Sequence, residues 1–216
     1  MKLQSKEYHH YRMAVLFCLA MVFIVSLFIA IYGRLNSFLF INGLNSAQSD
    51  YFFTYFTYLG DGIIWVPLFL YVLMYKRDYF IMILASVIIC TLLTHFFKRV
   101  VFADEARPLR ALHDVARAVP LMKGKDAYAN SFPSGHTSTA FTLALLLALI
   151  INKKWAAIFF PLVAFFVGYS RVYLAQHFVT DVLAGMIVGI ISSYLSILVY
   201  LYFKKKKAER SFKPSS

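Results

Sequence analysis

Two short runs in the carboxyl-terminal third combine residue types that rarely border long apolar stretches. The first is Pro133-Ser134-Gly135-His136; the second is Ser170-Arg171, then His177 after five residues and Asp181 after three more. Histidine, arginine and aspartate are costly beside hydrocarbon, so keeping them at the edges of apolar segments implies a use. The chemistry they fit is phosphoryl transfer: one histidine as nucleophile, a second as acid and base, and an arginine with a helix start for the phosphate oxygens.

Each residue also has a plainer reading. His177 and Asp181 are four apart, so a helix beginning by His177 would put them on one face. There a carboxylate on one imidazole nitrogen fixes the tautomer and raises the basicity of the other, as an activated nucleophile requires; the plain reading is a His–Asp hydrogen bond that serves packing. Arg171 offers a planar, bidentate donor suited to phosphate, or it snorkels to an interface. Ser134 and Gly135 would present unpaired N–H groups and the positive end of a helix dipole to an anion, or Ser134 is only an N-cap. His136, entering an apolar segment beside them, favours the anion site.

The elements that must position these groups are membrane helices. With 61% hydrophobic residues, 18% aromatic residues and a mean hydropathy of +0.67, the 216-residue chain lies outside the soluble globular range. Apolar runs at Met13–Tyr32, from about Gly60 to Tyr75, Tyr79–Phe97, His136–Ile151, Trp155–Tyr173 and Val179–Phe203 predict an all-α, polytopic protein with six transmembrane helices. They form one membrane-embedded domain over residues 1–216, with the aromatic stretch Tyr51–Tyr58 at an interface. The first run is longer than the core of a signal peptide and has no small-residue cleavage site after it. Cys18 and Cys90 lie within apolar runs and suggest neither a disulfide nor a metal site.

The net charge of +12 need not mean nucleic acid, because the cations fall between the apolar runs and in the tail. By the positive-inside rule, residues 1–12, Lys76-Arg77, Lys153-Lys154 and the tail 204–216 share the cytoplasmic face, with anionic headgroups as the partner of the tail. The catalytic helix ends then face outward. The polar segment 98–132 is also placed outside and breaks the rule, with Lys98, Arg99, Arg107, Arg110, Arg117, Lys123 and Lys125. Arg117, Lys123 and Lys125 read as solvated charge balanced by nearby carboxylates. Lys98 and Arg107 read as functional, because they share a face with His136, Arg171, His177 and Asp181.

Lys98 with Arg107-Pro108, then Pro133-Ser134-Gly135-His136, then Ser170-Arg171-x5-His177-x3-Asp181 resemble the three signature motifs of the type 2 phosphatidic acid phosphatase superfamily. The resemblance covers about Lys98 to Asp181. One spacing departs from it: eight residues rather than six separate Lys98 from Arg107, so either the linker bulges or Lys98 is not the counterpart of the family lysine. The resemblance implies that His177 attacks phosphorus to form a phosphohistidine, with Asp181 orienting it. It implies further that His136 protonates the departing oxygen and then activates water, and that Lys98, Arg107, Ser134, Gly135 and Arg171 hold the phosphate oxygens. No metal or other cofactor is expected, and the implied substrate is a membrane lipid phosphate or diphosphate in a bacterial cytoplasmic membrane. A lipid phosphotransferase using the same phosphohistidine, and an anion transporter or channel without chemistry, are the alternatives. Three residues stay outside the pattern: His95 reads as a packed histidine one turn before Lys98, Arg110 as a contact for a second phosphate, and Asp61 as a cap between two glycines.

Overall fold

The computed structural model describes residues 8–44, 46–112 and 130–211, and among them every regular element is helical. Helix α1 runs His9–Gly43, but its backbone leaves helical φ/ψ at Gly33, one residue past the expected end at Tyr32, so it consists of two helical pieces joined at a kink. Gly33 has a φ of 74°, which a side chain would resist. Helix α2, Ala47–Phe56, is capped by Ser46, whose hydroxyl accepts the Ser49 N–H at 3.1 Å. A 3-10 turn at Thr57–Gly60 leads to Asp61, which caps a second short turn by accepting the Ile63 N–H at 3.1 Å. Helix α3 then covers Trp65–Tyr75. The aromatic stretch expected at an interface is therefore helical, and it meets α3 at a bend of 55°.

Helix α4, Phe80–Phe96, continues into a π turn at Phe97–Val101, and the short α5, Pro108–Ala111, carries its proline in the first turn. Helices α6, Gly135–Ile151, α7, Ala156–Tyr173, and α8, Val179–Ser211, complete the bundle. The last helix outruns its apolar stretch and carries Lys204–Lys207 in continuous helix. Among the described residues four segments are long and apolar enough to cross a membrane, or five if the bent pair α2–α3 counts as one crossing. Helix α6, at 17 residues, is shorter; at 1.5 Å per residue it spans about 26 Å. Phe23, Ile31, Met74 and Leu92 lie on the outer surface, each at least 64% exposed. Water would not tolerate such a belt, whereas lipid does. The chain is a multi-pass membrane protein.

Twelve of the seventeen residues of α6 are buried, which makes it the central helix, packed by α1, α4, α7 and α8. Close approach to α8 depends on two glycines four residues apart on one helical face. A Cβ on Gly185 would fall 2.7 Å from the Ser134 carbonyl oxygen, and one on Gly189 2.8 Å from that of Ser138 and 2.6 Å from Phe141 Cβ. The two ends of the bundle differ in kind. At one end His10 meets Asn152 at 2.9 Å and Tyr79 packs on Tyr200, which brings the basic turns together. At the other, Tyr173 donates to Asp50 at 2.6 Å and Arg34 to Glu105 at 3.0 Å, and every motif residue lies there.

Gly189→Ala should lower the thermal stability of the protein in detergent, by about 1–3 kcal/mol for an overpacked contact. Gly43→Ala, where a Cβ meets nothing within 4 Å, should leave the melting temperature almost unchanged; equal effects would argue against the α6–α8 contact as the tight one.

Candidate active site

The site begins with how α8 starts. Phe178 is its N-cap and Asp181 its third residue, and the Asp181 carboxylate reaches back to accept the Phe178 N–H at 3.0 Å. That is the carboxylate half of a capping box. The same oxygen, Oδ2, lies 3.3 Å from His177 Nδ1 and accepts the Ser131 hydroxyl. His177 therefore precedes the helix instead of sharing a helical face with Asp181, and the pair is made by the turn that leads into α8. In that turn Ala175 adopts φ 55°, an uncommon conformation for a residue with a side chain, and the Gln176 and His177 N–H groups both return to the Arg171 carbonyl, at 2.9 and 3.2 Å.

His177 is 2% exposed and Asp181 fully buried. Burial pushes the histidine well below its ordinary pKa, and Lys98, Arg107 and Arg171 push it the same way. These influences all favour the neutral ring, and in the tautomer whose Nδ1–H points to Asp181 the lone pair lies on Nε2. A neutral, oriented imidazole is a nucleophile.

Three cations come to this ring from three elements. Arg171, in the last turn of α7 and 4% exposed, donates from one terminal nitrogen to Thr57 Oγ1 at 2.8 Å, while its Nε has no hydrogen-bond partner. Arg107, before α5, donates to Gln176 Oε1 at 2.9 Å. Lys98 lies in the π turn, half-buried and within electrostatic reach of Arg107, Arg171 and Asp181, while Arg99 is exposed. There the Phe102 N–H bonds back to the Phe97 carbonyl at 2.8 Å, five residues earlier. Such a turn holds an extra residue, so the long spacing between Lys98 and Arg107 is partly absorbed in the backbone beside the lysine. Ion pairing with Glu105 also ties the linker to α1, and the Glu105 carbonyl accepts the Ser131 N–H at 2.9 Å.

Ser134 is buried as the N-cap of α6, its oxygen accepting the Thr137 N–H at 3.4 Å and the Thr137 hydroxyl at 2.8 Å. Its side chain thus does what the plain reading expects. Capping leaves the first-turn N–H groups of Gly135 and His136 without an intrahelical acceptor, at the positive end of the helix. The Ser134 N–H itself donates to the Asp181 carbonyl at 3.0 Å, joining the two motifs through their backbones. His136 follows, its Nε2 3.7 Å from Asp61 Oδ2. A cavity of about 140 Å³ opens beside it, lined by Gly60, Thr94, His95, Gly135 and Thr139 among others.

All eight residues expected from the sequence, His136, His177, Asp181, Lys98, Arg107, Ser134, Gly135 and Arg171, lie at this end of the bundle. His95 is exposed and lines the cavity beside His136, which differs from the packed histidine expected, and Arg110 is exposed. Arg117, Lys123 and Lys125 lie outside the described residues. Four participants escaped the sequence: Ser131, Gln176, Thr57 and Asp61. Ser131 and Gln176 each lie within three residues of a motif, a weak signal; Thr57 and Asp61 carry none, because they come from a distant turn. Among the described residues no group of three or more His, Cys, Asp or Glu side chains is placed to hold a metal ion.

The PAP2 superfamily model matches residues 75–206. A lipid A 4'-phosphatase of Bacteroides thetaiotaomicron is 32% identical over 160 residues, covering 70% of this chain and 69% of that protein. An undecaprenyl-diphosphatase of Sulfolobus acidocaldarius is 28% identical over 217 residues, 96% and 99% of the two chains. The crystal structure of Aquifex aeolicus LpxE superposes with a TM-score of 0.67 at 30% identity, covering 76% of this chain and 94% of that one.

Nitrogen-15 NMR of histidine-labelled protein should show His177 as the Nδ1–H tautomer, still neutral at pH 6, below the usual histidine value of about 6.5. Asp181→Asn should reduce that tautomer's population. A resonance that titrates near 6.5 and vanishes in His177→Asn would overturn the assignment.

Proposed function

Because the chain belongs to the PAP2 superfamily, we propose that it hydrolyses lipid phosphates or diphosphates through a phosphohistidine on His177. The observation that carries this reading is the juxtaposition of a neutral, Asp181-anchored imidazole with Arg171, Arg107 and Lys98. The Nε2 lone pair attacks phosphorus in line, and the bond from phosphorus to the lipid-side oxygen breaks. His136 delivers its proton to that oxygen. A water then attacks the phosphohistidine, gives its proton to His136, and the electrons of the P–N bond return to His177. Charge on the nonbridging oxygens is met by the three cations and by the N–H groups at the start of α6, which act most strongly where water is scarce. The role usually taken by a metal ion, neutralising that charge, falls to these side chains.

A lipid substrate is supported by where the site lies. Next to the Thr57–Gly60 turn, an apolar groove of about 330 Å³ runs between α3, α6 and α7, lined by Leu59, Ile64, Leu68, Leu143, Phe160 and Val163 among others. An acyl or prenyl chain in that groove leaves its phosphate at the cationic cluster. Lipid A phosphates, undecaprenyl diphosphate, phosphatidylglycerophosphate and phosphatidic acid all meet this description; the first two are the substrates named for the related phosphatases above.

Six crossings follow if α2–α3 forms one broken span and α6 another. Both termini then lie with Arg77, Lys153, Lys154 and Lys204–Lys207 on the cytoplasmic side of a bacterial cell membrane, and the site opens outward. The short α6 starts below the outer surface, at headgroup depth.

Purified protein should release inorganic phosphate from at least one lipid of this panel with EDTA present. His177→Ala should reduce the rate by about 10⁴-fold or more, as loss of a nucleophile does. Phosphate release that survives His177→Ala would sink the mechanism, and transfer of the phosphoryl group to an added alcohol in place of water would turn the reading to a phosphotransferase.

A further inference from the structure

The turn that breaks the α2–α3 segment comes from a part of the sequence with no motif, yet it touches two motif residues. Thr57 accepts from Arg171 at 2.8 Å, and Asp61 Oδ2 lies 3.7 Å from His136 Nε2. Between them Gly60 allows the approach: a Cβ there would fall 2.6 Å from both the His136 carbonyl oxygen and Val167 Cγ1. The carboxylate is itself held, because its other oxygen accepts the Ile63 N–H.

We propose that Asp61 is a positioning residue for His136, holding on that ring the proton which the departing lipid oxygen receives. The inference rests on the acid role of His136 stated above. Its basis is charge. His136 is surrounded within electrostatic reach by Arg171, Lys98 and Arg107, with His177 also near and His95 lining the same cavity. Each cation that serves the phosphate opposes a second positive charge on the acid. Asp181 cannot compensate, because its carboxylate is already engaged by Ser131, His177 and the Phe178 N–H. Asp61 is the carboxylate that ion-pairs with His136 among the described residues. An anion at that separation favours the imidazolium and orients the ring, leaving the other ring nitrogen for the reacting oxygen. Asp61 neither gains nor loses a proton in the cycle.

The test compares leaving groups. The parameter kcat/KM reports only steps up to release of the alcohol, so hydrolysis of the phosphohistidine does not enter. A lipid alkoxide needs the proton; 4-nitrophenolate does not. Asp61→Asn keeps the cap on Ile63 and removes the charge, and Asp61→Ser does the same with a smaller side chain. Both should lower kcat/KM for phosphatidic acid about 10–100-fold and leave kcat/KM for 4-nitrophenyl phosphate close to wild type. Asp61→Glu should restore part of the loss. A uniform loss on both substrates, or no loss on either, overturns the inference. His136→Ala separates the two levels of the argument: if it too lowers both substrates equally, the acid role of His136 falls. If it discriminates and the Asp61 variants do not, only the role of Asp61 falls.

Discussion

Asp181 binds the two motifs of this site together twice. Its backbone carbonyl accepts the N–H of Ser134 at the start of α6, while its carboxylate gathers His177, Ser131 and the Phe178 N–H at the start of α8. A buried carboxylate is stable only when its lone pairs are taken, so each of these donors is held where it is by the cost of leaving the charge unsatisfied. The position of His177, the cap of α8 and the register of α6 against α8 are therefore one constraint. Gly185 and Gly189 make it possible, since any larger residue would push the two helix starts apart.

Around that fixed centre the cations are held less rigidly and by unlike partners. Arg171 is steadied by a threonine hydroxyl, Arg107 by a glutamine carbonyl, and Lys98 by a π turn that aims it inward. A hydroxyl and an amide oxygen carry no formal charge, so these two contacts orient the guanidinium groups without themselves neutralising them. The cations also favour a neutral His177: among three of them and out of water, an imidazolium would be the least favourable state.

Membrane placement and chemistry are linked through α6. The helix is central, short and apolar, and it begins at the candidate site, so the motif residues lie at its mouth while its body lies among the other helices. The apolar groove between α3, α6 and α7 starts beside the Thr57–Gly60 turn at the same end of the bundle.

Much of this was legible in the chain itself. Apolar runs of membrane length, basic turns at alternate connections and two compact motifs suffice for a helical membrane protein with a phosphate site, because hydrocarbon thickness and the cost of buried charge act on local sequence. Boundaries were less legible: helix resumes after the break at Gly33, and α8 passes Phe203, since helix continues wherever no residue stops it, whether or not lipid surrounds it. Only the tertiary structure decided that His177 meets Asp181 through a capping turn, that the π turn beside Lys98 takes up part of the extra length, and that Ser131, Gln176, Thr57 and Asp61 lie at the site. Those contacts join residues up to 114 positions apart. Periodicity and spacing describe what neighbouring residues share, whereas the partner of a buried charge is chosen by packing, and packing is a property of the whole bundle.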